Sequence, residues 1–427
     1  MAILDGKRIM GGLEKARSLQ EAGRGAGRST HRSPDENSQR LMTGEAWEDF
    51  CSSLRDAGRM ILDADQPDDP RVRALGFRYL LGLVKFGASQ AAELSQRRFP
   101  KFIRFEDSFV KWGAENADNH YICTHIDSGQ TYRIRGTRGT CMTFLIEVRE
   151  GFMQLGDTRD FANLTADELE ISEDGSFEII ASRQEHPGNW LPLDPEARQI
   201  VIRQYFGDWE REEPATFEIL REGGQGESPP ALEAHEMASI LDDAGNWVET
   251  STRFWGEWLP ELRENYRHGE IVPARRYVGG ADDIYYGNDY YRIAADEALV
   301  IEFTPPRAKY WAFQLCDLWF VSTDYVNRTT SLNNSQAVLD SDGKCRIVVA
   351  HEDPRVCNWI DTAGATEGVL QYRYVWTKDN PLPEVRNVKF EDLAAVLPEG
   401  VRTISPVERK RQIAVRQQAV RLRERVA

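Results

Sequence analysis

The chain has 427 residues, of which 41% are hydrophobic and 29% charged, a composition typical of globular rather than disordered proteins. At ~150 residues per domain, this length predicts two or three domains. The net charge of -16 disfavours nucleic-acid binding, and the sequence contains no uninterrupted run of ~18 apolar residues that would predict a membrane-spanning helix.

The first 40 residues are rich in Gly, Ser and Arg, and we expect them to form a flexible arm. This N-terminus lacks an apolar signal core followed by a small-residue cleavage site, so the sequence predicts a cytoplasmic protein. The six cysteines show no Cys-x-x-Cys spacing, and the histidines lack the spacing of a metal-binding motif. We therefore predict neither a metal nor any other cofactor.

Residues 41–117 carry a helical pattern. From Thr43, apolar residues recur at spacings of three and four between Trp47 and Ile61, which predicts an amphipathic helix. Pro and Asp at 66–70 interrupt the pattern, and a second helical stretch leads toward Leu94.

Residues 118–222 are rich in β-branched and aromatic residues and are broken by Gly and Ser, which predicts the short strands of a first β-sandwich. We expect one capped helical turn inside it, at Thr165. A linker and helical segment follows at 223–284, and strands return at 285–390 as a second sandwich.

The C-terminal tail, 391–427, ends in a basic helix that begins with a capping box at Ser405. Apolar residues from Val407 to Val426 line one side of this helix, and arginines line the other. On so acidic a chain, we expect the helix to dock on its own body or on a sister subunit.

The two β-rich stretches follow the same order of strands and turns at an offset of 168 to 170 residues. This offset lays Asn189-Trp190 on Asn358-Trp359, Asp174-Gly175 on Asp342-Gly343, Tyr121 on Tyr291 and Tyr205 on Tyr374. The agreement indicates an internal duplication, with chance similarity between short strands as the alternative. No helix alternates with each strand, so we predict a mainly β fold with helical segments, built as two tandem jelly-roll-like antiparallel β-sandwiches.

The second copy contains "YRIAADEALVIEFTPPRAKYWAFQLCDLW" and, further on, "HEDPRVCNWIDTAGATEGVLQYRYVW". These stretches resemble the bacterial domain-of-unknown-function 1214 family over about 285–386, with a weaker echo at about 118–220. The resemblance implies a jelly-roll-like β-sandwich that often occurs in duplicated form. It implies no catalytic residues.

Strand alternation gives the first group of candidate site residues, all on the polar side of their strands. If these strands share one sheet, their polar side chains form a surface suited to a polar, carbohydrate-like or aromatic small molecule. The alternative is an ordinary solvated sheet face with a Glu-Arg cross-strand pair. The candidates are Glu302, Tyr310, Gln314, Gln371 and Arg373.

Two polar and aromatic segments, at 282–292 and 317–328, read as loops at the end of the second sandwich, where binding residues commonly gather. Asp289 and Asp324 are candidate catalytic acids for a hydrolase or lyase, although such residues are more often structural. The ligand-binding candidates in these loops are Tyr291, Arg292, Trp319 and Arg328.

The sequence thus predicts a protein that binds a polar small molecule on its second sandwich, with hydrolase or lyase activity as one form of this hypothesis. The alternative is a non-enzymatic scaffold that uses its aromatic surface and C-terminal helix for subunit contacts in a homo-oligomer. We expect neither nucleic acid nor membrane as a partner.

Overall fold

The computed structural model describes residues 32–62, 68–157, 159–265, 271–276 and 284–425. Within these ranges the chain forms four β-sheets and six α-helices. None of these described helices has both the length and the apolar content that crossing a membrane requires. The helices are α1 (Pro34–Thr43), α2 (Glu45–Ile61), α3 (Pro70–Glu93), α4 (Ala234–Asn265), α5 (Leu393–Val396) and α6 (Pro406–Arg423).

The first sandwich consists of sheet A, in the order β1-β2-β8-β4-β5, and sheet B, in the order β7-β6-β3-β9. Alternate residues such as Ile122, Ile146 and Ile202 from sheet A meet Ile134 and Ile179 from sheet B in a dry core. Its strands are β1 (Ile103–Glu106), β2 (Asn119–His125), β3 (Tyr132–Thr137), β4 (Thr143–Arg149), β5 (Asp160–Thr165), β6 (Ser176–Ser182), β7 (Trp190–Pro192), β8 (Gln199–Tyr205) and β9 (Thr216–Arg221).

The second sandwich consists of sheet C, in the order β10-β16-β12-β13, and sheet D, in the order β15-β14-β11-β17. Its core places Phe313 and Tyr372 of sheet C against Leu299 and Ile301 of sheet D. Its strands are β10 (Ile284–Arg292), β11 (Glu297–Phe303), β12 (Ala308–Cys316), β13 (Ser331–Asn333), β14 (Cys345–Ala350), β15 (Trp359–Asp361), β16 (Glu367–Thr377) and β17 (Glu384–Lys389).

Two predictions about local structure need correction. The segment expected as a loop at 282–292 is a strand from Ile284, because it pairs with β16 along its whole length. The expected flexible arm is helical from Pro34, since Ser33 and Glu36 form a capping box and Arg40 binds Asp242 of α4 at 2.8 Å. The rest of that arm, up to residue 31, lies outside the described residues.

The duplication is confirmed by matching strand orders and by one repeated hydrogen-bond pattern. In each copy the side chain of Asn189 or Asn358 donates to a strand carbonyl oxygen at 3.0 Å. The indole of Trp190 or Trp359 donates to a second strand carbonyl oxygen at 3.2 Å. The Asn-Trp pair therefore fixes the same strand end in both sandwiches.

The C-terminal helix α6 docks on its own chain through apolar residues and through buried arginines. Ala419 and Val420 lie in the core of the first sandwich and Val415 packs against it, whereas Val407, at the start of the helix, is 76% exposed. The arginines are buried as well, because aromatic rings and carbonyl oxygens of both sandwiches are favourable partners for guanidinium groups. The buried arginines are Arg409 over Trp359 at 5.0 Å, Arg416 over Trp209 at 4.7 Å and Arg423 over Trp209 at 4.1 Å.

The two sandwiches pack through sheets A and C, whose outer faces oppose each other. Tyr205 of sheet A contacts Tyr310 and Trp376 of the second sandwich, with ring centroids 5.5 Å and 5.4 Å apart. Residues from α3 and α4, including Phe86 and Trp247, complete a shared core with both sheets. The polar residues of both sandwiches meet at the interface between sheets A and C, which we call the inter-sheet gap.

Candidate ligand site between the sandwiches

Two tyrosine-arginine pairs at equivalent positions face the inter-sheet gap. The strand register places Tyr121 beside Arg203 in sheet A and Tyr286 beside Arg373 in sheet C. Both arginines lie on the central strand that pairs with neighbours on each side, β8 in one sheet and β16 in the other. The duplication has therefore brought two copies of one polar pair to the same interface.

The two arginines differ in how their charge is balanced. Arg203 forms an ion pair with Glu147 at 2.9 Å. Arg373 is only 5% exposed, and its Nη2 donates to the Ala114 carbonyl oxygen at 2.7 Å and to Gln371 Oε1. Within the described residues, Arg373 has no carboxylate at ion-pair distance and its Nε has no hydrogen-bond partner. A buried cation without a counter-ion is costly, so Arg373 is a strong candidate for contact with an anion.

Further polar atoms facing the gap lack a hydrogen-bond partner among the described residues. Strand alternation and pairing put all of these side chains on the gap side of their sheets, and each residue is at most 2% exposed. Well over nine-tenths of buried polar groups in folded proteins are hydrogen-bonded, so each of these groups is a candidate for contact with a ligand. These groups are Gln199 Oε1 and Nε2, Tyr205 Oη, Thr143 Oγ1 and Asn288 Oδ1.

Buried acids border the same gap. Burial raises the pKa of the Glu106 carboxyl well above its usual range, and nearby Glu115 adds to the effect while Arg203 and Arg373 oppose it. Burial also raises the pKa of Glu115, which accepts a hydrogen bond from Ser322 Oγ. Perturbed acids of this kind gather at functional sites more often than elsewhere. Glu106 therefore keeps its proton to higher pH than an exposed glutamate does.

The backbone is strained where it lines the gap. Among the described residues, three non-glycine residues with positive φ lie here, namely Ala114 at 54°, Phe320 at 56° and Trp376 at 50°. Ala114 N–H donates to the Phe320 carbonyl oxygen at 2.6 Å, and the Ala114 carbonyl oxygen accepts from Arg373. Such conformations persist only where tertiary contacts hold them, and they cluster at ligand sites.

Four of the predicted site residues lie together in this gap, but not on an open surface. Tyr310 Oη donates to Asp118 Oδ2 at 2.6 Å, and Gln314 Nε2 donates to the Glu115 carbonyl oxygen at 2.7 Å. The prediction of an accessible sheet face is wrong, because sheet A and the loop after β1 cover it. The four residues, Tyr310, Gln314, Gln371 and Arg373, are each at most 5% exposed.

Glu302 does not belong to this group. Its strand β11 lies in sheet D, not in sheet C with β12 and β16, so the premise of one shared sheet is wrong. Glu302 forms ion pairs with Arg346 at 2.8 Å and with Arg386 at 3.4 Å on the far side of the second sandwich.

The predicted catalytic acids occupy different environments. Asp324 is exposed and accepts the Asn327 N–H at 3.0 Å within a turn. Asp289 is 1% exposed and lies on the core side of β10, beside Leu370 of β16. These contacts give no support to a shared acid-base pair, and the hydrolase hypothesis based on these two residues stays a prediction.

The remaining predicted ligand-binding residues are dispersed. Tyr291 is fully buried in the core of the second sandwich, and Trp319 donates from its indole to the Val72 carbonyl oxygen of α3 at 2.7 Å. Arg328 forms an ion pair with Asp361 at 2.9 Å. Arg292 pairs with Glu367 at 3.0 Å on the rim of an open depression of about 540 Å³. With its charge already paired, Arg292 offers a weaker anchor than Arg373.

Sequence reasoning missed the contribution of the first copy, namely Glu106, Tyr121, Arg203 and Tyr205. The alternation argument applied to "QIVIRQY" would have placed Arg203 and Tyr205 opposite the core residues Ile200 and Ile202. The alignment of Tyr205 with Tyr374 is one residue out of register, since Tyr374 faces the sandwich core. Aligning the central strands so that Arg203 matches Arg373 restores the common face.

Residues 125–208 and 273–379 match the family model described as "Protein of unknown function (DUF1214)", once in each sandwich. The chain is similar to an uncharacterised protein of Burkholderia cenocepacia, with 33% identity and a TM-score of 0.79 over 83% of this chain and 100% of that one. A protein from Vibrio parahaemolyticus shows 12% identity and a TM-score of 0.43, covering 73% of this chain and 98% of that one. No curated protein matches the chain.

Proposed function

The chain belongs to the DUF1214 family, and we propose that it binds a small organic anion in the inter-sheet gap, with Arg373 as the counter-ion. The observation that carries this proposal is the buried guanidinium of Arg373, which has no carboxylate partner among the described residues. A carboxylate is the anion best matched to a guanidinium, because its two oxygens accept two parallel N–H donors.

The groups around Arg373 support a carboxylate ligand. Burial raises the pKa of Glu106 and so favours its protonated form, which can donate a hydrogen bond to a ligand oxygen, whereas a charged carboxylate could not. Gln371 already accepts a hydrogen bond from Arg373 and holds the guanidinium in the gap. The ligand would thus supply the negative charge that the protein itself does not place next to Arg373.

The scaffold alternative receives no specific support. It relied on α6 for contacts between subunits, but Arg409, Arg416 and Arg423 of α6 are buried against their own chain. The exposed side of α6 is charged and lacks the apolar core typical of stable subunit interfaces.

The test is a thermal-shift titration of the purified protein with acetate and benzoate against benzamide, at matched ionic strength. We expect the carboxylates to raise the melting temperature and benzamide to leave it unchanged, since a ligand at a hundredfold excess over Kd adds about 2.7 kcal/mol to the free energy of unfolding. Arg373→Met should abolish the shift. Arg386→Met, which removes a partly exposed arginine of the same sandwich, should retain it.

The melting temperature of Arg373→Met without ligand is the control that distinguishes loss of binding from loss of folding. Because Arg373→Met removes an unpaired buried charge, we expect its melting temperature without ligand to be at least that of the natural protein. The proposal fails if neither carboxylate stabilises the natural protein, or if Arg373→Met is stabilised as much as the natural protein.

A further inference from the structure

We propose that the protein forms a two-fold homodimer in which α2 and α3 of one copy pack against α3 and α2 of the other. The face concerned, which we call the outer helix face, consists of the outward side chains of α2 and α3. It contains no residue of α6 or of the inter-sheet gap, so the proposal is independent of the anion site and of the scaffold hypothesis based on α6.

The helix α3 has apolar side chains on both of its sides. Its inner side buries Tyr79, Leu83 and Phe86 in the core that α3 shares with α4 and both sheets. Its outer side carries Phe77 and Leu81, which are 41% and 60% exposed. A helix that is hydrophobic all round is normally covered on all sides, so a partner should cover the outer side of α3.

The apolar residues of the outer helix face follow the spacing of helix–helix seams. They recur at alternating spacings of three and four, which are the a and d positions of a heptad repeat and pack into the spaces between side chains of a facing helix. Trp47 is 54% exposed, and the other members are exposed or half-buried. The seam residues are Trp47, Cys51, Leu54 and Gly58 on α2 and Ala74, Phe77, Leu81, Val84 and Ala88 on α3.

The two seams adjoin and form one continuous face. A Cβ atom placed on Gly58 of α2 would lie 4.0 Å from the Phe77 ring of α3. At another edge of α3, Phe109 of the loop after β1 is 37% exposed and contacts Arg78, whose Cζ is 5.7 Å from the ring centroid. Monomeric proteins rarely expose large contiguous apolar patches, and such patches commonly mark interaction sites.

The charges on the two helices favour a second copy of the chain as the partner. Helix α2 carries four acidic and two basic residues, whereas α3 carries four basic residues and one acidic residue. Packing α2 of one copy on α3 of the other therefore brings opposite charges together, and two-fold symmetry repeats the contact. Glu48 of α2 and Arg78 of α3 are exposed and form no ion pair within the described part of the chain, so they can pair across the interface.

The outer helix face is large enough for a stable dimer. At a rise of ~1.5 Å per residue and a diameter of ~10 Å, α2 and α3 side by side present roughly 600 Å² of flat area. Standard interfaces bury about 800 Å² on each partner, measured over the curved surface of the side chains. The two helices together therefore provide the core of an interface of standard size.

Sedimentation velocity of the full chain over a range of micromolar concentrations tests the proposal. We expect a species with twice the mass of one chain. Leu81→Glu should raise the dissociation constant at least tenfold, because it would bury an unpaired carboxylate in the centre of the α3 seam. Leu382→Glu makes the same change at a leucine of similar exposure, 51%, in the second sandwich, and it should leave the dimer intact. Both leucines are exposed in the single chain, so we expect both variants to keep the circular dichroism spectrum of the natural protein.

Charge reversal tests the pairing of α2 with α3. Arg78→Glu and Glu48→Lys should each weaken self-association, because each places like charges on the facing helices. A mixture of the two variants should recover the dimer, since both of its contacts then join opposite charges. Failure of the mixture to associate would contradict the pairing.

A chain that stays monomeric at all of these concentrations, or a dimer that Leu81→Glu weakens no more than Leu382→Glu does, overturns the proposal. Two further results would overturn it by assigning the face to another occupant. Sedimentation of the monomer with phosphatidylglycerol vesicles would assign the face to a membrane surface. Dimerisation only after deletion of residues 1–31 would assign it to this N-terminal segment.

Discussion

Glu106 and Arg373 have environments unlike those of ordinary surface groups. Each is buried between the sandwiches. Burial raises the pKa of Glu106 by more than the positive charge of Arg373 lowers it. In a structural interface, a buried acid and a buried cation that has no carboxylate at ion-pair distance could be replaced by apolar residues at little cost or with a gain in stability. Their retention in the gap suits a site that gives up stability for binding.

We expect the stability of Glu106→Gln, compared with that of the natural protein, to increase as the pH rises. The pKa of Glu106 is raised in the folded state, so above its unfolded pKa the folded protein holds a proton that the unfolded chain releases. The free energy of unfolding of the natural protein then falls as pH rises through this window, by at most about 1.4 kcal/mol per pH unit from this residue. Glu106→Gln removes that fall.

Urea unfolding at several pH values between 5 and 8 checks this prediction. The difference between Glu106→Gln and the natural protein should grow with pH. A constant difference across the range would show that Glu106 titrates alike in the folded and unfolded states.

At the level of elements, the Asn-Trp corners show how one short motif holds two sandwiches in the same shape. Asn358 bridges two carbonyl oxygens and accepts the Val338 N–H at 2.8 Å, and Asn189 makes the equivalent bond to the Glu170 N–H at 2.7 Å. The Asn side chain supplies two N–H donors and one acceptor close to the backbone. Gln carries the same amide group, but on a longer side chain.

Asn358→Ala should lower the free energy of unfolding by about 2–3 kcal/mol, because it leaves buried carbonyl and N–H groups without partners. Asn189→Ala should cost less, about 1–2 kcal/mol, since Asn189 is less buried and water can replace the lost bonds. Chemical denaturation of both variants measures the difference. A larger loss in Asn189→Ala than in Asn358→Ala would contradict this argument from burial.

The helix α6 is a second element whose contacts can be tested. Arg416 is 2% exposed, donates to the Ser331 and Tyr325 carbonyl oxygens and stacks on Trp209. Arg416→Ala should therefore destabilise the protein by about 2–3 kcal/mol. Arg411→Ala removes a mostly exposed arginine of the same helix and should change stability by less than about 0.5 kcal/mol. Equal effects would mean that α6 is not docked through its buried arginines.

At the scale of the whole molecule, the inter-sheet gap joins the two sandwiches into one body. Asp118 of the first copy accepts hydrogen bonds from Tyr310 at 2.6 Å and from Asn333 at 2.8 Å, both in the second copy. It also accepts the indole N–H of Trp209 at 2.7 Å. One buried carboxylate thus connects strands of both sheets.

We expect the two sandwiches to unfold in one transition, seen as coincident midpoints by circular dichroism and tryptophan fluorescence. Asp118→Ala should lower both midpoints together and cost about 2–4 kcal/mol, because it breaks a buried network. Asp324→Ala, which alters an exposed turn, should leave them close to those of the natural protein. Separate transitions by the two probes would contradict this coupling.

The sequence by itself determined which side of several strands is apolar, where the C-terminal helix begins, and that one β unit occurs twice, because side-chain alternation, capping residues and the repeated Asn-Trp are local properties of the chain. Strands such as β11 and β12 carry the same alternation, so their assignment to different sheets was not readable from it. Only the tertiary structure decided which faces meet, because a polar strand face has the same sequence pattern whether water or another sheet covers it. The packing of sheet A on sheet C turned an expected surface into a buried interface, and it brought Arg203 and Glu106 of the first sandwich close to Arg373 of the second.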